Sequence, residues 1–330
     1  MGTLALEGVN KVYRVGTFGG QTMHAVKDVT FEARPGQIIS LIGESGSGKS
    51  TIGKMILRLA SVSSGRILYD GQDVATLKSR ELKPYRRKVQ GVFQDPFSSY
   101  NPIFKADRVF GLIRDGFFPE VKGADWDERV HKALQGVSLD PDGVLGKYPH
   151  QLSGGQLQRM LVARALLLDI EFLVADEIIS MLDASTRVDV LNLLGDLKAG
   201  GLGVLFVTHD LSLGNYISDQ AIILRKGRIV ERGPTATVFD QPTHPYTRML
   251  LASVPALHGG HDSGALGQMD VVRDRQACLY HERYPGGDAT APASQANPTM
   301  VEVSAGHLVT CATVDEEGGC LQGGARQTAG

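Results

Sequence analysis

The segment Gly43–Thr51, with sequence GESGSGKST, constrains this chain more than any other feature. It satisfies the pattern G-x-x-x-x-G-K-[ST]. It lies between the apolar run 37–42, which predicts a buried strand, and a helical pattern over 49–59 with Ile56 and Leu59 on its apolar face. Glycines let the backbone wrap around an anion with its N–H groups pointing inward, and the helix start adds its positive dipole end. The sequence therefore predicts a nucleotide-phosphate site in an α/β protein.

The residues of this phosphate loop have different predicted roles. Lys49 is predicted to reach the β- and γ-phosphates, and the Ser50 hydroxyl to bind Mg²⁺. ATP with Mg²⁺ is the expected ligand. The residues predicted to hold the nucleotide here are Gly43, Ser45, Gly46, Gly48, Lys49, Ser50 and Thr51.

A second candidate segment is an apolar run that ends in two carboxylates. The run 172–175 predicts a buried strand, and Asp176 and Glu177 follow it directly. Asp176 is predicted to hold Mg²⁺, directly or through water, and Glu177 to polarise the attacking water as general base. An acidic strand end is common by itself, but its place relative to the phosphate loop favours the catalytic interpretation.

Composition excludes several classes of protein. Lys and Arg number 34 against 36 Asp and Glu, so the basic excess of a general nucleic-acid-binding protein is absent. The sequence has neither a signal-peptide pattern nor an apolar run near the roughly 18 residues that a membrane span requires. Its three cysteines all lie beyond position 277, which excludes a dense disulfide framework and favours a reducing compartment.

The organisation of the chain follows from the alternation of strand and helix patterns. Further strands are predicted at 89–93, 204–208 and 221–224. Longer helical patterns with more charge predict an inserted helical subdomain at about 95–168. The predicted domains are a nucleotide-binding domain, 1–258, and a glycine-richer C-terminal extension, 259–330, which we expect to be partly disordered.

The sequence LSGGQ, Leu152–Gln156, distinguishes this chain from other phosphate-loop proteins. It resembles the signature of the ATP-binding cassette (ABC) ATPase family. Taken alone, each of the other matching residues would be assigned a structural role, but their shared order favours the family. The resemblance covers about 4–254 and implies a RecA-like core with an inserted helical subdomain and an antiparallel β region. The matching elements are the Q-loop glutamine Gln94, the D-loop Ser180–Asp183, the switch histidine His209, and Tyr13, which is similar to the adenine-stacking aromatic.

The resemblance also implies how these residues act. Two cassettes close head to tail around two ATP molecules, so that the signature of one meets the γ-phosphate bound by the other. Gln94 contacts Mg²⁺ and the attacking water, while His209 holds the γ-phosphate and orients Glu177. The residues implied in nucleotide contact across the dimer are Ser153, Gly154, Gly155, Gln156 and Asp183.

Two longer stretches, 93–102 and 241–255, resemble the ATPases of oligopeptide/dipeptide importers in particular. The first lies where such importers dock a cytoplasmic helix of the membrane subunit, and most of the second is interpreted as a capping segment without chemistry. Residues 178–187 also resemble relatives that serve oligosaccharide importers, so peptides and oligosaccharides both stay open as cargo. Ile178 and Ile179 stand where many relatives carry proline and a small polar residue, and activity is expected to survive this departure.

The cysteines bear on one cofactor of the family. Some relatives bind an iron–sulfur cluster through four cysteines of the C-terminal extension. Cys278 and Cys311 match two of those positions, whereas Tyr284 stands at a third and Cys320 lies in a glycine-rich tail. Because thiolate ligation requires four ligands, an iron–sulfur cluster is not expected.

The sequence thus predicts the ATPase subunit of an ABC importer, peripheral on the cytoplasmic face of the inner (plasma) membrane. Its expected partners are two membrane-spanning permease subunits, a second ATP-binding subunit of the same or a different chain, and an extracytoplasmic substrate-binding protein, without nucleic acid. The alternative is a soluble ABC ATPase in translation or DNA repair, although the sequence lacks a second cassette, a long coiled coil and a zinc finger. Glu177 and His209 argue against a cassette that binds ATP without hydrolysing it.

Overall fold

The structure is a computed structural model, and it describes residues 2–15, 20–253 and 300–310. Cys278, Tyr284, Cys311 and Cys320, on which the iron–sulfur prediction rests, lie outside the described residues. The described residues divide into two compact units. The first unit is drawn from 1–11, 30–39 and 50–207, and the second from 12–29, 40–49 and 208–330.

The secondary structure alternates between strands and helices along most of the described chain. The strands are β1 Leu4–Val15, β2 Gln21–Ala33, β3 Ile38–Ile42, β4 Ser64–Tyr69, β5 Gln72–Asp73, β6 Val89–Val92, β7 Phe172–Asp176, β8 Gly203–Thr208, β9 Gln220–Arg225, β10 Arg228–Pro234, β11 Met300–Ser304 and β12 His307–Thr310. The α-helices are α1 Lys49–Ile56, α2 Ser79–Lys88, α3 Arg108–Phe117, α4 Gly123–Gln135, α5 Pro141–Val144, α6 Gly154–Leu166, α7 Ala184–Ala199, α8 Leu211–Ile217, α9 Thr235–Asp240 and α10 Pro245–Ala252.

The strands predicted at 89–93, 172–175, 204–208 and 221–224 are confirmed, although the last of them, β9, pairs antiparallel with β10. In the first unit β7 lies between β6 and β8, and all three run parallel. Strands β7 and β8 are buried along their whole length, which is why their sequences are continuous apolar runs without a polar alternation. Val92 is in register with Ala175, and Asp176 with Val207, so the carboxyl ends of these strands share one edge of the sheet. The acidic pair that follows β7 begins at this edge.

The antiparallel β region is also present in the first unit. Residues of β1 pair antiparallel with β4, from Leu4 with Tyr69 to Asn10 with Ser64, and β4 pairs with the short β5. The fold class implied by the family resemblance, an α/β phosphate-loop core with an added antiparallel region, is therefore confirmed.

The helices α3 to α6 all lie within 95–168, where the sequence predicts helices. In α4 the buried side chains recur every four residues, at Trp126, Val130 and Leu134, so one face of the helix is packed and the opposite face is polar. Helix α6, which follows the signature, is buried at most of its positions. That this stretch is a separate subdomain stays a prediction.

The helix after the phosphate loop is shorter than predicted. Helix α1 ends at Ile56, and Arg58 adopts a left-handed backbone with φ of +56°. The Leu59 amide then bonds the Lys54 carbonyl, a closure typical of helix C-termini. Leu59 is therefore 62% exposed, and its predicted place on the apolar face of the helix is wrong.

The second unit contains an antiparallel arrangement with the order β11-β12-β10-β9. The hairpin β11–β12 lies inside the predicted C-terminal extension, for which no strand is predicted above, and it pairs Val309 with Glu231 of β10. The apolar core beside these strands includes Ile42, Leu211, Ala221, Ile223, Val230, Val238 and Tyr246. Within residues 2–15, 20–253 and 300–310, no helix combines the length and the apolar character that crossing a membrane requires.

Candidate functional site

The phosphate loop follows β3 directly, and its shape requires glycine at two positions. At Gly48 the backbone φ is +104°, and a Cβ atom would lie 2.4 Å from the Ala25 carbonyl oxygen. At Gly43 a Cβ atom would lie 2.1 Å from the Leu224 carbonyl oxygen. Both distances are shorter than any real Cβ contact, so the chain closes tightly here only because the side chains are missing. The glycines of the sequence motif thus have a steric reason that is visible in the fold.

Lys49 begins helix α1 and is almost entirely buried, with 4% of its surface exposed. Its Nζ donates hydrogen bonds to the carbonyl oxygens of Gly43 at 2.7 Å and Glu44 at 2.9 Å. The ammonium group is therefore held inside the loop by the backbone of the loop itself. A phosphate that entered the loop would meet a positive charge whose position is already set.

The first unit brings together two of the predicted metal-binding residues. The Ser50 hydroxyl donates to Oδ1 of Asp176 at 3.1 Å. Asp176 is the last residue of β7 and only 6% exposed, so its carboxylate occupies a defined position at the sheet edge. A hydroxyl and a carboxylate oxygen are the hard donors that Mg²⁺ prefers. The residues present fit this cation.

Glu177 has an unusual backbone for a residue that carries a side chain. Its φ is +50°, in the left-handed region that non-glycine residues seldom occupy. Its amide donates to the Val207 carbonyl at 2.9 Å, and its carbonyl accepts from the amide and the hydroxyl of Ser180. These bonds fix a turn at the end of β7, and such a conformation persists only where the surrounding contacts hold it.

Ile178 and Ile179, which depart from the family pattern, are both buried. Both side chains lie in the protein interior, so these two residues, unlike the family pattern, contribute apolar packing after Glu177.

The signature segment caps its own helix. Ser153 is the N-cap of α6: its hydroxyl accepts from the Gln156 amide at 3.1 Å, and its own amide donates to Oε1 of Gln156 at 2.9 Å. This reciprocal arrangement satisfies two amides that would otherwise lack partners at the helix start. Gly155 is a packing position, because a Cβ atom there would lie 2.5 Å from Cγ2 of Thr186.

The D-loop aspartate Asp183 is the N-cap of α7. Its carboxylate accepts hydrogen bonds from the Ser185 hydroxyl and from the amide and hydroxyl of Thr186. These bonds, that of Ser185 first, hold the pKa of Asp183 well below its usual range. Asp183 is therefore ionised at neutral pH and suited to an N-terminal position, where a negative charge is stabilising.

The remaining predicted residues follow strand ends or lie within a strand. Gln94 is exposed two residues after β6, and His209 is exposed directly after β8. Tyr13 lies in β1 and is half-buried. Their roles toward a nucleotide stay predictions, as do those of the other site residues.

A side chain outside the predicted set also contacts the phosphate loop. The Tyr246 hydroxyl accepts from the Glu44 amide at 3.3 Å. The sequence signal that could have revealed this contact is the unusual run 241–248. It belongs to the stretch 241–255, most of which is interpreted above as a capping segment without chemistry.

Comparison with protein families supports the resemblance seen in the motifs. The family described as ABC transporter matches residues 26–180. A second family, described as the oligopeptide/dipeptide transporter C-terminal region, matches residues 230–287.

Individual relatives support the same family. A protein of Brucella ovis named "Putative peptide import ATP-binding protein" is 39% identical over 320 residues, which cover 93% of this chain and 96% of that protein. A glutathione import ATP-binding protein of Salmonella typhimurium is 42% identical over 252 residues, which cover 73% of this chain and 39% of that protein.

Solved structures share the fold. The chain is similar to an ATP-binding cassette solved as a dimer in a post-hydrolysis state with ADP and Pi. The TM-score is 0.63 at 29% identity, and the match covers 70% of this chain and 98% of that one.

Proposed function

This chain belongs to the ABC transporter ATP-binding proteins of the oligopeptide/dipeptide transporter family, and we propose that it hydrolyses ATP to power the import of peptides. The match at 230–287 supports an importer over a soluble ATPase of translation or DNA repair. Relatives named for peptide and glutathione import support peptides over oligosaccharides, because glutathione is itself a small peptide.

The reaction is transfer of the γ-phosphoryl group of ATP to water. The water oxygen forms a bond to the γ-phosphorus, the bond from that phosphorus to the bridging oxygen breaks, and ADP leaves. Glu177 accepts the proton of the attacking water. The observation that most directly supports this assignment is the 3.1 Å hydrogen bond between Ser50 and Asp176, with Glu177 next in the chain.

The other groups stabilise charge on the phosphates. Lys49 and the inward N–H groups of the phosphate loop bind the β- and γ-phosphates. Ser50 and Asp176 would hold Mg²⁺, with Gln94 as a further oxygen donor, and the ion when bound neutralises charge on the β- and γ-oxygens. His209 positions the γ-phosphate relative to Glu177, and Tyr13 stacks on the adenine.

The assembly has further members. A second ATP-binding subunit, of the same or another chain, presents its signature to the nucleotide held here, and Ser153 to Gln156 with Asp183 do the same for the partner's nucleotide. Two permease subunits carry the cargo, which an extracytoplasmic binding protein delivers. The chain then acts on the cytoplasmic face of the inner membrane.

The first experiment is Glu177→Gln, which keeps the shape of the side chain and removes the base. We expect ATP binding to stay near wild type while steady-state hydrolysis falls by about 10²- to 10⁴-fold. Hydrolysis is measured by phosphate release and binding by calorimetry. The matched control is Glu120→Gln at an exposed glutamate, which should leave both unchanged. Normal hydrolysis in Glu177→Gln would contradict the base assignment.

The second experiment addresses the cargo. The binding protein that co-purifies with the assembled transporter is screened against di- to pentapeptides, glutathione and oligosaccharides. We expect peptides to bind and to stimulate hydrolysis by the assembled complex. Binding of oligosaccharides alone would overturn the peptide assignment and leave the ATPase assignment intact.

A further inference from the structure

Tyr246 is a buried side chain of the second unit that makes a polar contact with the phosphate loop. It is 2% exposed and packs in the core cluster with Ile42 and Leu211. Its hydroxyl accepts a hydrogen bond from the Glu44 amide at 3.3 Å. A tyrosine hydroxyl is protonated at neutral pH and burial raises its pKa further, so its oxygen accepts the bond as a neutral phenol.

The bonded amide belongs to the same peptide unit that holds the loop lysine. The Gly43–Glu44 peptide carries its carbonyl toward Nζ of Lys49 at 2.7 Å and its N–H toward Tyr246. Because a peptide unit is planar, fixing its N–H fixes the direction of its carbonyl. Tyr246 therefore orients the Gly43 carbonyl, which is one of the two acceptors that position the Lys49 ammonium group.

Tyr246 is in turn fixed at the start of helix α10. Its amide donates to Nδ1 of His244, the buried N-cap of that helix, at 3.0 Å. Burial lowers the pKa of His244 to about 4, and the positive charges of Arg225 and Arg248 add to the effect. The ring is neutral at pH 7, so its nitrogen is able to accept this bond.

A buried carboxylate holds the residues that precede α10. Glu231 of β10 is fully buried and accepts from the amides of Thr243 at 2.8 Å and His244 at 3.1 Å. It also contacts Nε2 of His307 at 2.7 Å, and His307 begins β12 of the C-terminal hairpin. A buried carboxyl group is tolerated only with hydrogen-bonding partners, and these three contacts supply them.

We propose that Tyr246 is a positioning residue of the phosphate loop, and that Glu231, completed by His307, holds Tyr246 in place. The C-terminal hairpin thereby contributes to nucleotide affinity although it lies 76 residues from Glu231 in the chain. This inference rests on the proposed role of the phosphate loop in binding ATP.

The first test is Tyr246→Phe in the full chain, which removes the acceptor and keeps the packed ring. We expect the affinity for ATP with Mg²⁺, measured by calorimetry, to fall about 3- to 10-fold, the equivalent of one hydrogen bond. Hydrogen exchange at the Glu44 amide should quicken, which a general loss of packing would not produce selectively. The matched control is Tyr69→Phe, which removes a hydroxyl bound to Glu171 in the first unit and should leave ATP affinity unchanged.

A further variant separates this inference from the proposed function. Lys49→Ala should abolish measurable ATP binding. Retained binding in Lys49→Ala would refute the role of the loop itself. If Lys49→Ala fails to bind but Tyr246→Phe binds ATP like the wild type, the proposed function stands and the positioning role is overturned.

The second test addresses the hairpin. His307→Ala removes the side-chain partner of Glu231 and should weaken ATP binding about 2- to 5-fold, whereas His307→Gln retains a polar side chain and should restore most of the affinity. Because the effect acts through the tyrosine, the double variant His307→Ala/Tyr246→Phe should bind ATP no more weakly than Tyr246→Phe alone. Independent, multiplying effects would overturn the link, as would wild-type affinity in His307→Ala.

Discussion

The phosphate loop and the signature segment are both glycine-containing turns that lead into a helix, yet they are built in different ways. In the phosphate loop, Gly43 and Gly48 approach other backbone so closely that no side chain fits, and Lys49 is bonded to the carbonyls of the loop. In the signature, Ser153 and Gln156 cap the start of α6 with their own side chains. The shape of the phosphate loop is dictated by backbone sterics, whereas the signature has the amides of Ser153 and Gln156 capped by side chains.

This difference indicates how each segment meets a phosphate. The phosphate loop already has its glycines and lysine in position, so binding requires little rearrangement. At the signature, Ser153 and Gln156 are bonded to each other, and we expect an incoming phosphate to exchange with these bonds. We therefore expect the first loop to determine affinity in a single chain, and the second to act only when a partner supplies its nucleotide.

Among the variants that compare these two segments, the largest effect is expected from Gly48→Ala. Its Cβ would lie 2.4 Å from the Ala25 carbonyl oxygen, in addition to the strain of a φ of +104°. ATP affinity measured by calorimetry should fall roughly 100-fold or more. Gly46→Ala is the matched control: φ is +79°, but nothing lies within 4 Å. A smaller loss, about 10-fold, is expected there. Equal losses in the two variants would show that close approach is not what the loop requires.

The signature should respond differently to Ser153→Ala. A single chain should bind ATP as the wild type does, while hydrolysis by the assembled transporter falls about 10-fold, as for loss of one charge-assisted contact. The control for simple loss of a helix cap is Asp140→Ala, which uncaps α5 away from the signature. Weakened ATP binding to the single chain of Ser153→Ala would remove the distinction between the two loops.

Gly155→Ala tests whether the signature glycine is a packing position. The added Cβ would lie 2.5 Å from Cγ2 of Thr186, so the free energy of unfolding in urea should fall by about 1–3 kcal/mol. Thr186→Ser removes that methyl group and keeps the hydroxyl bonded to Asp183, so the double variant should recover most of the loss.

Gly195→Ala in α7 is the control for the preceding variant, since nothing lies within 4 Å of its Cβ position. This change should stabilise the protein slightly. An unrescued loss in the double variant would contradict the packing explanation.

The smallest effect concerns the support of the phosphate loop through His244. Its pKa is lowered to about 4 in the fold, against 6.5 for the unshifted group, so the unfolded chain binds a proton first as pH falls. The contribution to stability is fully present above pH 6.5 and is lost on acidification toward pH 4, by about 1 kcal/mol at pH 5.5.

Urea unfolding at pH 7.5 and 5.5 measures this loss. The groups that face His244 are Arg225, Arg248 and Glu231, and Glu231 also contacts His307. His244→Asn keeps a capping oxygen without a titrating ring, so its loss between the two pH values should be smaller by about 1 kcal/mol. Equal losses in the wild type and His244→Asn would rule out this titration as the cause.

Much of the fold was predictable because its signals are local. Buried parallel strands read as short apolar runs, and β6, β7 and β8 lie where such runs occur. The end of α1 was not predictable in this way: Ile56 and Leu59 have the helical spacing, but the left-handed Arg58 closes the helix before Leu59. Periodicity identifies a face, whereas the end of a helix depends on which carbonyls and amides find partners.

The sequence alone determined the chemical groups of this protein and their spacing: a glycine-rich loop with its lysine, and two carboxylates at the end of a buried strand. Contiguous residues specify these features because the backbone geometry that they require is local. Only the tertiary structure decided how the loop is supported. Tyr246 meets Glu44 across 202 residues, and Glu231 meets His307 through the pairing of β10 with β12. Such contacts depend on strand register and core packing, which no short stretch of sequence encodes.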